Sequence, residues 1–191
     1  MAIDGGLTHM SAKRNGFSLI EVMVSLVILT VGLVGIFNLH IVAKRGSYES
    51  FQQTQASYYA NDIINRMRMN RSELINYQGT YSGISSAPAK SCDVNVGGNS
   101  ICTSVETRVW DLYQWERMFQ GDNEKSSGTN VGGLDTSVAC IDVSGRDVTV
   151  VVTWRGVRAS SDGLSEAGTF AKSCGSSSDR RRALVLETAI I

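Results

Sequence analysis

Glu21 is the residue whose chemistry is most out of place in this sequence, because it is the one formal charge in an apolar run over residues 17–43. A carboxylate in hydrocarbon is costly, which makes such a residue a functional candidate. Ser18 and Glu21 also fit the S-x-x-E capping box of a helix N-terminus, where negative charge is favourable. The spacing alone leaves both the functional role and the capping role open.

Four cysteines form the second group of reactive side chains: Cys92, Cys102, Cys140 and Cys174. Four cysteines allow three pairings, and the sequence does not choose among them. The short loop favours Cys92 with Cys102, which leaves Cys140 with Cys174, and each bond would contribute about 2–4 kcal/mol. Zinc is the rival use, disfavoured by the wide spacing of the first pair and by the lack of a C-x-x-C pair.

Catalysis and nucleic-acid binding find little support. The 18 basic residues equal the 18 acidic ones, whereas a nucleic-acid binder usually needs a basic surface. His9 and His40 are the two histidines. His9 precedes the apolar run, and His40 lies at its far end, so a Ser-His-Asp triad would need His40 to leave the membrane end of the helix. Gly97-Gly98 and Gly132-Gly133 fit turns rather than a phosphate-binding loop. We therefore expect no catalytic residue, no metal and no cofactor.

The apolar run is long enough to cross a membrane as a helix, which takes about 20 residues. Lys13 and Arg14 precede it and Lys44 and Arg45 follow it, so the flanking charges give only weak evidence for its orientation in the membrane. A signal anchor would keep the short leader in the cytoplasm and place the C-terminal part outside. A cleaved secretory signal is the rival, but its apolar region would be shorter, and no small-x-small site follows.

Beyond Arg45 the helical pattern becomes amphipathic. Apolar residues recur at helical spacing among polar ones, and we expect this stripe to lie in a core. The pattern predicts one helix over residues 18–75. The stripe consists of Phe51, Tyr58, Tyr59, Ile63, Ile64, Met67 and Leu74.

The remaining residues predict a small head, and the fold class is α+β: a long N-terminal helix packed on a small antiparallel β-sheet. One face of the second predicted strand carries Val148, Val150, Val152 and Trp154. Arg180-Arg181-Arg182 fits a solvated flank or an anion-binding patch. The head elements are a helix over 104–119, a hairpin of 138–143 with 148–154, and a strand over 183–191 beside it. Residues 79–98, 122–133 and 155–178 are predicted loops.

Lys13-Arg14-Asn15-Gly16 followed by Phe17-Ser18-Leu19-Ile20-Glu21 closely resembles the type IV prepilin signal. In that family a dedicated peptidase cuts after the glycine, here Gly16, and the new N-terminal residue, here Phe17, is N-methylated. The fifth mature residue is a glutamate, here Glu21. The resemblance implies a leader over 1–16, a membrane and filament stem over 17–43, an amphipathic half-helix over 44–78 and a head over 79–191. The leader is long from Met1 and of typical length from Met10.

The resemblance, strongest over residues 13–75, implies a minor pilin that supports pilus assembly or priming, adhesion or twitching motility. Its partners would be the prepilin peptidase, other minor pilins, the major pilin, the inner-membrane assembly platform and the membrane, with no nucleic acid. It would sit in the bacterial inner membrane as a single pass with a periplasmic head, and later in the pilus. Glu21 would pair with the Phe17 amine of a neighbouring subunit.

Two alternatives and one detail of the stem stay open. A type II secretion pseudopilin shares the signal and stem, and a membrane-anchored periplasmic binding domain or enzyme is the other alternative.

Gly32 and Gly35 each cost about 1 kcal/mol of helix propensity relative to alanine. They predict either a stretch that extends or loses helicity in a filament or a site of close helix packing.

Overall fold

The computed structural model describes residues 16–93 and 101–191. The described residues up to Lys44 form one unit, and those from Arg45 onward form another. The helices are α1 (Leu19–Met69), α2 (Ser104–Phe119) and α3 (Thr169–Ser173), with a 3₁₀ helix over Arg71–Tyr77. The strands are β1 (Gly79–Tyr81), β2 (Lys125–Ser126), β3 (Thr129–Asn130), β4 (Val138–Ser144), β5 (Asp147–Arg155) and β6 (Arg181–Ala189). The predicted α+β class is confirmed. Most of the leader, the choice between Met1 and Met10, and the Gly97-Gly98 turn lie outside the described residues.

The long helix is shorter than predicted at its C-terminal end. It stops at Met69, and the chain continues as a 3₁₀ helix instead of reaching residue 75 in α-helical form. The backbone of Asn70 leaves the helical region, with φ −123° and ψ 55°. Its buried side-chain amide donates to the carbonyl of Ser104 at 2.8 Å and to the hydroxyl of Tyr77 at 3.3 Å. These tertiary hydrogen bonds end α1 at Asn70, although the helical spacing of apolar residues in the sequence continues beyond it.

An antiparallel sheet of four strands, in the order β1-β4-β5-β6, forms the centre of the head. The predicted hairpin is confirmed as β4 and β5, which pair from Val138 with Thr153 to Ser144 with Asp147. Gly145 has φ +64° in the turn between them, a conformation that glycine adopts without strain. The predicted final strand is confirmed beside β5, although β6 begins at Arg181 and ends at Ala189.

The two faces of the sheet carry separate apolar clusters. The predicted face of β5, with Val148, Val150, Val152 and Trp154, packs in one cluster with buried residues of α1 and α2. The opposite face buries Val151 with Leu164, Ala171 and the two cysteines Cys140 and Cys174. Because both faces are covered, β5 is buried without interruption from Val150 to Trp154 rather than only at alternate residues.

The second helix has the predicted bounds, 104–119, and packs through its C-terminal half. Trp115 and Phe119 are fully buried, and the Trp115 indole donates to the carbonyl of Tyr59 at 2.8 Å. Val105 and Val109, which lie at helical spacing in the N-terminal half of the same helix, are exposed. A capping box of Thr103 and Glu106 begins the helix, and the T-x-x-E spacing that signals it in the sequence was not part of the prediction.

The three predicted loops each contain a short element. Residues 79–98 begin with β1, which pairs with β4. Residues 122–133 contain the β2–β3 pair, and residues 155–178 contain α3. Near β3 the chain closes on itself at Gly121 and Gly133, where a Cβ on Gly121 would lie 1.9 Å from the carbonyl oxygen of Gly132. The loop predictions were wrong because two to five residues carry no detectable periodicity.

The aromatic stripe on α1 is only partly in the core. Tyr59, Ile63, Ile64, Met67 and Leu74 are buried as predicted, but Phe51 and Tyr58 are exposed. The expectation that the whole stripe is core is therefore wrong for these two residues.

Candidate functional site

The predicted processing site is an exposed segment without regular secondary structure that directly precedes α1. Gly16, Phe17 and Ser18 precede the first helical residue, Leu19, and all three are exposed. The Phe17 side chain is 83% exposed. A Cβ on Gly16 would meet nothing within 4 Å, so packing within this chain does not require glycine there. The peptide bond between Gly16 and Phe17 is thus open to an enzyme.

Glu21 lies in the first turn of α1. The carbonyl of Ser18 accepts the backbone amides of Glu21 at 3.0 Å and Val22 at 3.3 Å, so Ser18 occupies the position before the helix. Among residues 16–93 and 101–191, no hydrogen bond joins the Ser18 and Glu21 side chains to each other's backbone, and no ion pair engages the Glu21 carboxylate. The capping box at this position is therefore wrong, and the carboxylate has no ion-pair partner among the described residues.

The stem carries an apolar surface on every side. Its large hydrophobic side chains, from Phe17 to Val42, are between 45% and 83% exposed. By length and composition this is a helix that could cross a membrane. Burial of so much apolar surface is favourable in lipid or against other helices. The stem supplies the surface for such burial and no internal partner for it.

Gly32 and Gly35 lie within continuous helix. A Cβ at either position would meet nothing within 4 Å. Contacts inside this chain therefore give no reason for glycine, and the expectation of local helix loss or close packing in an assembly stays a prediction.

The four cysteines form two disulfides in the head. Cys92 is bonded to Cys102 and Cys140 to Cys174, with Cα–Cα distances of 5.8 and 5.9 Å. The second bond is buried and joins β4 to the residue after α3. These are the pairs that loop length favoured. In the described part of the chain, no cluster of three His, Cys, Asp or Glu side chains could hold a metal ion.

Within the arginine run over 180–182, Arg181 begins β6 and is buried, so it fits neither a solvated flank nor an anion patch, whereas Arg180 is exposed. Arg181 is buried, and its guanidinium contacts the Asp162 carboxylate at 2.8 Å and donates to the carbonyls of Lys172, Cys174 and Gly175. The hydrogen bond from Arg181 is the main reason that the pKa of Asp162 lies far below its ordinary value. The sequence shows three adjacent arginines but not which one turns inward.

Residues 11–37 match the family model described as the prokaryotic N-terminal methylation motif. No curated protein and no solved structure matches the chain. The motif supports a type IV pilin-like protein or a pseudopilin, and it implies processing by a prepilin peptidase and assembly with other pilins. It fits the exposed apolar helix, and a pilin-like protein is structural rather than enzymatic in type. The match covers less than half of the chain and does not reach the head.

Proposed function

We propose that the chain is a minor pilin of a type IV pilus, of the kind called pilus modification protein PilV. The main support for this proposal is that the methylation motif runs into a helix whose apolar side chains are exposed all round. Such a helix is stored in lipid and then packs against sister helices in a filament. The role of the chain is polymerisation through this stem.

Glu21 provides specificity in that step. Cleavage after Gly16 creates an α-amino group at Phe17, a cation that methylation preserves. In the filament, the Glu21 carboxylate of one subunit pairs with the Phe17 amine of its neighbour. This pairing offsets the cost of placing either charge among apolar helices. The lack of a partner for Glu21 among the described residues supports the idea, since the carboxylate is free for an external one.

The features that resemble PilV lie in the amphipathic half of α1 and in the head. They are the amphipathic stretch over 61–70, the valine-rich strand that leads to Trp154 and Gly156, Cys174-Gly175, and the arginine run over 180–182. The two disulfides suit an oxidising compartment such as the periplasm. The head would thus face the periplasm from a single-pass inner-membrane anchor. Later, in the pilus, it would contact other minor pilins and the major pilin and tune assembly, adhesion or twitching motility.

The deciding experiment is N-terminal analysis of the membrane-extracted full chain, expressed with and without the prepilin peptidase. We expect a methylated Phe17 at the N-terminus only with the peptidase. A Gly16→Leu variant should keep its leader, because the structure offers room for the side chain but the enzyme requires glycine. A chain that retains its leader beside an active peptidase would refute the proposal.

A pseudopilin of a type II secretion system is the second candidate, because the same motif serves both assemblies. The two candidates differ in which defect the chain repairs. A minor pilin restores surface pili to a strain that lacks its gene and leaves secretion unchanged. Restoration of secretion without pili would assign the chain to the secretion system.

A further inference from the structure

A groove in the head is lined by an aromatic face of α1. Tyr48, Phe51 and Tyr58 are 47%, 55% and 60% exposed, although residues of this type are commonly buried. Their spacing places them on one side of the helix together with Gln52 and Tyr59. The facing wall is the segment after α2, and the groove has a volume of about 640 Å³. A volume of this size is typical of a binding pocket.

Gln52 lies in this groove with one unsatisfied atom. The side chain is 1% exposed, and its Nε2 donates to the hydroxyl of Tyr48 at 3.0 Å. Its Oε1 is buried without a hydrogen-bond partner among the described residues. A buried acceptor without a donor is unfavourable, so a donor would be held there once the lining side chains shift to expose this atom.

The charged and polar groups of the groove favour a positively charged ligand that donates hydrogen bonds. Glu124 stands on the facing wall, its carboxylate close to Gly132, and no ion pair engages it within residues 16–93 and 101–191. None of the described lining residues is a lysine or an arginine. Burial and, second to it, the charge of Glu124 raise the pKa of Tyr59. The negative charge is therefore felt inside the groove.

We propose that this groove binds an arginine side chain presented by a partner protein. A guanidinium offers only donors, which suit Gln52 Oε1 and the Glu124 carboxylate, and its flat face stacks on exposed aromatic rings. A lysine ammonium has no flat face to stack. A sugar brings as many acceptors as donors and would leave some of them opposite the acceptors of the groove. This inference concerns the head alone and does not rest on the proposed function.

The test uses the full chain in a polyoxyethylene detergent, which carries neither sugar nor charge. The probe is a fluorescent five-residue glycine peptide with a central arginine, and its matched control has citrulline, which keeps the shape but loses the charge. We expect fluorescence anisotropy to show binding of the arginine peptide and at least about fivefold weaker binding of the citrulline peptide. Equal binding of the two peptides would overturn the proposal.

Two variants locate the binding. Glu124→Gln and Tyr58→Leu alter exposed side chains, and each should weaken the arginine peptide by about fivefold. Glu187→Gln, an exposed carboxylate on β6, is the control and should bind like the wild type. Near-UV circular dichroism checks that each variant is folded. Full binding by Glu124→Gln, or displacement of the peptide by glucose in a manner that needs Tyr58 but not Glu124, would contradict an arginine site.

Discussion

The stem and the head satisfy their apolar residues in opposite ways. The stem exposes its large hydrophobic side chains from Phe17 to Val42, whereas the head buries its own on both faces of a four-stranded sheet. Their carboxylates differ in the same way. Glu21 has no ion-pair partner in the described residues, while Asp162 contacts the buried Arg181. The described residues thus give the apolar and charged groups of the head partners that those of the stem lack.

The largest expected effect comes from the unpaired charge of the stem. Glu21→Ala should abolish incorporation into filaments while cleavage after Gly16 continues, because the side chain is exposed at the start of α1 and makes no ion pair within the described residues. Immunoblots of sheared pili and of membranes measure the two steps. Glu187→Ala, on the head, is the matched control. Normal incorporation of Glu21→Ala would remove the proposed pairing with Phe17.

The second prediction compares one residue type in the two regions. Ile63 is fully buried and Ile28 is 67% exposed. Ile63→Ala should lower the free energy of unfolding of the head by about 3 kcal/mol, since it removes buried methyl groups and leaves a cavity. Ile28→Ala should change it by less than about 0.5 kcal/mol. Urea unfolding followed by tryptophan fluorescence measures both, and similar losses would show that the stem contributes to head stability.

The third prediction concerns the paired carboxylate of the head. Asp162→Asn should lower the free energy of unfolding by about 2 kcal/mol, because buried Arg181 loses its counter-charge but keeps three carbonyl partners. Asp179→Asn, at an exposed neighbouring position, is the control.

The pH dependence of the difference in unfolding free energy between the wild type and Asp162→Asn shows whether the Asp162–Arg181 pair stabilises the head. Since Arg181 depresses the pKa of Asp162, ionised Asp162 stabilises the folded head above its unfolded-state pKa of about 4. This contribution disappears as the pH falls through the depressed folded value. The gap between wild type and Asp162→Asn should therefore narrow in acid. A gap that widens there would mean that the pair does not stabilise the head.

The smallest effect compares the two helix starts. Thr103 accepts the amide of Glu106 as the cap of α2, whereas the Ser18 side chain makes no such bond in the described residues. Thr103→Ala should cost the head about 1 kcal/mol. Ser18→Ala should leave its unfolding midpoint unchanged. Equal effects of the two substitutions in the urea measurement would argue against the difference in capping.

The sequence predicts those parts of the molecule whose signals are local and long. The bounds of α2, the β4–β5 hairpin and the place of β6 follow from helical spacing, β-branched runs and a glycine turn. The end of α1 cannot be predicted in this way, because it depends on hydrogen bonds from Asn70 to Ser104 and Tyr77. A local sequence pattern does not show that these residues lie next to Asn70 in the fold. Tertiary bonds of this kind leave no periodic trace.

The candidate sites also differ in whether a local stretch of sequence is enough to predict them. The segment from Gly16 to Glu21 is readable because its residues are contiguous. The groove proposed to bind arginine is not readable from the sequence, since helical spacing places Tyr48, Phe51 and Tyr58 on one side of α1 but does not show that the segment after α2 faces them. Arg181 is a third case, in which burial selects one of three identical neighbours.

The position of β6 in the chain has a consequence for biogenesis. This strand pairs with β5 over nine residues, from Arg181 to Ala189, and brings in the cation that holds the segment around Asp162 and Cys174. Until β6 has been synthesised and paired, β5 remains an open sheet edge and the apolar surface beneath it is exposed to water. A truncated product that lacks β6 would therefore expose the edge of β5, a surface that proteases and chaperones can bind.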